Sequence, residues 1–155
     1  MTSSTPYANL ADHSAAAFNR FGQGHLPDLL GIEVVSVARD RAVCRVPVQR
    51  TIMAPNGFLH GGTPVAIADT MCGYGCIANL PEGASGFTTI ELKTNFLGTA
   101  RDGVLVCEAV PVHLGRTTQV WDATVRDEAT GRVLATFRCT QMILWPAARA
   151  IARSA

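Results

Sequence analysis

Residues 60–80 read HGGTPVAIADTMCGYGCIANL, and Asp69 is the one charged side chain in an otherwise apolar run. The run reads as an apolar helix entered through HGG, with Thr63 as N-cap and Pro64 at its first position. Pro81 stops it at about Asn79 or Leu80. A carboxylate in such a helix must be paired, protonated or employed. Asp69 is therefore the first candidate for chemistry, the alternative being a carboxylate that caps a backbone or pairs with a base.

Working outward, IEVVSVA (32–38) and AVCRVPV (42–48) alternate with period two around the turn Arg39-Asp40-Arg41 and predict a hairpin. Beyond the helix, GFTTIELKTNFL, VLVCEAVPVHLG, TTQVWDATVRDE and RVLATFRCTQMIL are four strand candidates, separated by turn residues and read as a meander. The order is two strands, one long helix and four longer strands. An unusually apolar helix is best buried by wrapping an antiparallel sheet around it, an α+β fold of the hot-dog kind with a long central helix. Residues 1–30 read as a helical appendage, with a short helix over Ala8–Phe21 and a connector, GQGHLPDLLG. Residues 31–145 form the domain, and 146–155 a basic C-terminal tail.

The 155 residues suffice for one domain with a real core, since a chain of this size buries roughly 70% of its unfolded surface. Yet 48% hydrophobic residues, 16% charged and a mean hydropathy of +0.19 leave more apolar surface than a small domain hides alone. A subunit interface is expected. Thirteen basic against twelve acidic residues, net +1 with no basic run, argue against a nucleic-acid partner, although a few arginines suffice for one small phosphate ligand. No signal-peptide pattern precedes Arg20, and Pro64, Asp69 and the glycines disqualify 61–80 as a membrane span. A cytoplasmic protein without membrane partners is expected. Five cysteines in unpaired spacing fit buried apolar side chains in a reducing compartment; Cys72 and Cys76 share a helix face but lack the partners of a zinc set, so no metal is expected.

Gly61 and Gly62 stand where the helix begins, so their N–H groups carry the positive end of its dipole and can receive a carbonyl oxygen gaining negative charge. Alternatively they only make a tight turn. Asp69 follows Gly61 by eight residues, about 12 Å along a straight helix at roughly 1.5 Å per residue. One subunit cannot easily bring both to a single carbonyl. Two helices packed antiparallel across a two-fold axis can, and the site is then completed between subunits.

APNGFLHGGTPVAIADTMCGYG (54–75), followed by TTIELKTNFL, HLGRTT and GRVLATFRCTQ, resembles the PaaI-type hot-dog acyl-CoA thioesterases over roughly residues 30–145. The resemblance implies hydrolysis of an acyl-CoA thioester, with Asp69 activating water or attacking the carbonyl itself. It implies that the N–H of Gly61 at the partner's helix start polarises that carbonyl, with Gly62 beside it. His60 becomes a supporting polar residue, Thr89 a hydroxyl that orients the water or the acid, with Thr88 next to it, and Gly73 a space for the acyl group. Many members carry Asn or Gln where this chain has Ala54; Asn56 either substitutes or caps the turn. Arg116, with Lys93 and Arg101 as further candidates, would meet the phosphates of coenzyme A, which enters as part of the substrate, so no separate cofactor is implied.

The resemblance further implies a homodimer at minimum, with a dimer of dimers common in the family. Phe58, Met71, Tyr74 and Phe87 are candidates for an acyl pocket suited to an aromatic or medium-chain group, or are simply core. His13, His25 and His113 are expected at the surface or at strand ends. Within the same fold, a hydratase would carry a histidine shortly beyond the helix aspartate, and TMCGY has none. A non-catalytic acyl-CoA sensor is the alternative from a different class; sensors of that kind usually add a basic DNA-binding segment, whereas residues 1–30 hold one arginine, Arg20.

Overall fold

A helix with no polar stripe has to be enclosed, and in the computed structural model, which describes Tyr7, Leu10 and residues 12–146, all six strands pack against it. The elements are α1 (Ala15–Gly22), α2 (Leu26–Leu29), β1 (Glu33–Val37), β2 (Ala42–Pro47), α3 (Gly62–Ala78), β3 (Gly86–Phe96), β4 (Val104–Leu114), β5 (Thr118–Asp127) and β6 (Val133–Leu144). They form one six-stranded antiparallel sheet in the order β1-β2-β4-β5-β6-β3, curled around α3. This is the hot-dog fold expected from the sequence. The proposed tail lies almost wholly outside the described residues.

Three details differ from the sequence reading. The four long strands are not a plain meander: β4 already has β2 and β5 as neighbours, so β3 takes the far edge beside β6. Thr63 is not the N-cap of α3, because its hydroxyl donates to the carbonyl of Ile52 at 2.8 Å; Gly61 occupies the cap and Pro64 falls at the third position. The N-terminal helix starts at Ala15, where the Ser14 hydroxyl accepts the Ala17 N–H, and the connector contains the single turn α2.

The N-terminal segment is sewn into the core. Phe18 is fully buried and lies 4.7 Å, ring centre to ring centre, from Tyr74 of α3. The Asn19 carboxamide pairs with both backbone groups of Val34 on β1, at 2.8 and 3.0 Å. These bonds give Val34 the two partners that a further β-strand would offer it.

One irregularity decides which residues face α3. A bulge between Thr89 and Glu91 inserts Ile90, so Thr89 pairs with Gln141 while Leu92 pairs with Cys139. Both register partners belong to the helix-facing set of β6. Thr89 and Leu92 therefore share the inner face although they are three residues apart. All five cysteines are free and buried, as their spacing suggested.

Gly75 marks the tightest approach of helix to sheet: a Cβ there would fall 2.5 Å from the buried Trp121 ring. An indole at 0% exposure has nowhere to move. Gly75→Ala should destabilise the fold by about 1–3 kcal/mol despite alanine's better helix propensity. Urea denaturation checks this; an unchanged or higher midpoint would contradict the packing described.

Candidate active site

Asp69 projects from the middle of α3 toward β3, where Thr89 Oγ1 lies 3.2 Å from its Oδ1. The same hydroxyl is 2.9 Å from Oε1 of Gln141 on β6. Half-buried, Asp69 lines a cavity of about 300 Å³ together with Thr89, Gly73, Phe87 and Tyr74. Burial raises its pKa above the ordinary aspartate value, opposed only in part by the Thr89 hydroxyl. A carboxylate so placed is a stronger base than one in water.

The opposite wall comes from Tyr7, Phe21, Gly22, His25 and Pro27, all from the segment read as an appendage. His25 is exposed, as expected, and in addition lines the cavity. Gly73 leaves room where a Cβ would meet the Phe87 ring at 3.1 Å. Tyr74 is pushed up to about 12 by burial and stays a neutral phenol at neutral pH. Of the other pocket candidates, Met71 is fully buried in the core, and Phe58 carries the Arg101 guanidinium over its ring at 4.1 Å.

At the start of α3 the free N–H groups can be accounted for one by one. Gly62 N–H donates to His60 Nδ1 at 2.9 Å and Thr63 N–H to the His60 carbonyl at 2.9 Å, while Pro64 has no N–H. That leaves Gly61, exposed and with no acceptor for its N–H among the described residues. His60 is thereby the clip that organises the helix start. Asn56 Oδ1 accepts the Phe58 N–H at 3.2 Å, closing the preceding turn.

Gly61 and Asp69 remain half a helix apart, about 12 Å at a rise of roughly 1.5 Å per residue, so no single carbonyl reaches both in one chain. Thr88 and Lys93 fall on the outer face of the sheet, paired with Met142 and Arg138, because strand alternation turns them away from α3. Arg116 stacks on Trp145 at 4.2 Å. Among the described residues no cluster of His, Cys, Asp and Glu is arranged to hold a metal.

Gln141 was missed in the sequence. The signal was there: between Cys139 and Ile143 it occupies a helix-facing position of a strand whose other inward residues are apolar.

A carboxylate on the buried helix of a hot-dog fold, beside a walled cavity and eight residues from an unpaired N–H, defines the class of small hydrolases acting on activated acyl groups. Comparisons agree with that class. Residues 56–134 match the family described as the thioesterase superfamily. A 1,4-dihydroxy-2-naphthoyl-CoA hydrolase of Listeria monocytogenes is 33% identical over 115 residues, covering 74% of this chain and 92% of that protein. The Escherichia coli hydrolase of the same name is 32% identical over 131 residues, covering 83% and 93%. The crystal structure of a Haemophilus influenzae thioesterase superposes with a TM-score of 0.81 at 28% identity, covering 88% of this chain and 94% of that one. The chain belongs to the thioesterase superfamily, and thioester hydrolysis is the general activity that membership carries.

The raised pKa of Asp69 has a stability consequence of definite sign. The folded state holds its proton to higher pH than the unfolded chain does, so stability is lost as pH rises from the unfolded aspartate value through the raised folded one. Asp69→Asn removes that loss. It should raise Tm at neutral pH, with the gain shrinking to nothing once the pH falls below the unfolded aspartate pKa. Thermal melts of both proteins across pH 3–8 test this.

Proposed function

We propose that the protein hydrolyses acyl-CoA thioesters to the free acid and coenzyme A, in a site shared by two subunits. The observation that carries this reading is Asp69, a carboxylate of raised pKa whose Oδ1 meets a hydroxyl while the side chain borders an apolar-walled cavity. The acyl group would lie in the cavity with its thioester carbonyl beside Asp69. The carbonyl oxygen would accept the N–H of Gly61 of the partner subunit, which stabilises the charge that develops as the tetrahedral intermediate forms.

Two routes use the same geometry. Asp69 takes a proton from water as its oxygen attacks the carbonyl carbon; alternatively its own oxygen attacks, giving an anhydride that water then opens. Either way the C–S bond breaks, and coenzyme A leaves as thiolate, protonated to the thiol. Thr89 holds one carboxylate oxygen so that the other faces the substrate, and His60 fixes the turn that presents Gly61.

The case for two subunits rests on uncovered apolar surface. Leu92 and Phe96 lie on the inner face of the edge strand β3, yet are 44% and 56% exposed, the Phe96 ring resting beside Gly61 at the start of α3. A second copy lying against this edge would cover them and bring its own α3 alongside. Exposed Met142 and Leu144 on the outer face offer a second contact, in keeping with a dimer of dimers. Arg116, held on Trp145 near the chain's last strand, is the cation assigned to the coenzyme A phosphates; Lys93 on the outer face would serve a tail that passes over it.

The direct test is thiol release from a panel of aryl and fatty acyl-CoAs. Wild type should turn over at least one, and Asp69→Asn should lose about a hundredfold to ten-thousandfold in kcat while remaining folded and oligomeric. Tight binding without turnover by wild type would instead mark an acyl-CoA sensor.

A further inference from the structure

A polar row crosses the otherwise apolar inner face of the sheet: Gln119 of β5, Gln141 of β6 and Thr89 of β3 stand opposite one another in register. Both glutamines are 0% exposed. Gln119 is well partnered, its Nε2 donating to the Asn79 carbonyl at 2.8 Å and its Oε1 accepting from Trp121 Nε1 at 3.0 Å. Gln141 is not. Its oxygen lies 2.9 Å from Thr89 Oγ1, while its nitrogen finds only the Cys139 sulfur, at 3.3 Å.

Counting protons exposes a conflict. Thr89 owns one hydroxyl proton, and two oxygens that carry none, Gln141 Oε1 and Asp69 Oδ1, both lie within reach of it. If Gln141 takes the proton, Asp69 loses its one side-chain donor among the described residues, and a buried amide N–H is spent on sulfur, a weak acceptor. A half-turn of the carboxamide removes the conflict. Nitrogen and oxygen exchange places without changing shape, so hydrogen bonding decides between them. Nε2 then donates to Thr89 Oγ1, Thr89 donates to Asp69, and Oε1 accepts the Cys139 S–H. Asp69 then keeps its donor, and the carboxamide oxygen and one amide N–H of Gln141 each have a partner.

We propose that Gln141 is the positioning residue of the carboxylate: its amide N–H points at Thr89 Oγ1 and so commits the single hydroxyl proton of Thr89 to Asp69. Donation into the hydroxyl polarises it, making Thr89 a better donor than a lone threonine. That holds Oδ1 and leaves Oδ2 toward the cavity. The role in turnover rests on the hydrolase reading above, but the relay is observable without any substrate. The titratable groups facing Asp69 are Cys72 on its own helix and Tyr7, His25 and Tyr74 around the cavity; among the described residues no lysine or arginine lines it.

NMR of the full chain tests the relay. In wild type the Gln141 Nε2 protons should show NOEs to the Thr89 methyl; NOEs to the Cys139 β-protons in their place would overturn the proposal without any variant being needed. Gln141→Met keeps the shape and removes both amide ends. The titration midpoint of the Asp69 carboxyl carbon should then rise, and the same substitution should have no effect when Thr89 is already Val. With the amide in the opposite orientation, the methionine would release the Thr89 proton to Asp69 and the midpoint would fall. A fall, or no change, refutes the relay. Gln141→Met should also lower kcat about three- to tenfold with KM unchanged, the scale of one hydrogen bond. If no acyl-CoA is turned over by wild type while Asp69 titrates as described, the hydrolase reading fails and the relay stands.

Discussion

Everything in this molecule follows from having to enclose α3. Its apolar residues point in all directions, so no single layer can bury it, and six strands curl around it until nearly every side is covered. Close approach at Gly75 against Trp121 lets the sheet wrap tightly. Within that enclosure a carboxylate is costly, and the structure lessens the cost at one place only, where Asp69 meets Thr89 and the cavity admits solvent or substrate. The carboxylate sits at the gap in the wrapping.

The wrapping also fixes what one chain would contribute to the proposed two-subunit site. The helix start offers Gly61 and the helix middle offers Asp69, and a straight α-helix cannot fold back to bring them together. The inner face of β3 keeps Leu92 and Phe96 partly exposed, with the Phe96 ring beside Gly61 at the helix start.

Much of this was legible in the chain. HGG, the isolated Asp69 and the strand pattern specified the helix, its wrapping and the candidate carboxylate, because hydrophobic periodicity and charge isolation are local signals. Thr89 was found through its motif, yet only the bulge at Ile90 explains why Thr89 and Leu92 share a face. Bulges and strand order are long-range facts: β3 beside β6 depends on β4 having both edges taken. Thr88 and Lys93 sit one and four residues from Thr89, and alternation across that bulge puts both outside. The largest miss was the N-terminal segment, whose Ser, Ala and Gly content hides that Phe18, Phe21 and His25 build the core and the cavity wall.

That segment separates two kinds of heritable variation. The carboxylate, its hydroxyl partner and the helix start belong to elements locked by the sheet, where nearly any change disturbs the fold. The far wall is held by aromatic contacts of Phe18 and Phe21 with Tyr74 and of Tyr7 with Phe87, and by one carboxamide latch, Asn19 on Val34. Substitutions at exposed wall positions such as His25 would therefore reshape the cavity without displacing Asp69 or Thr89, so a change in what the cavity admits needs no change in the carboxylate.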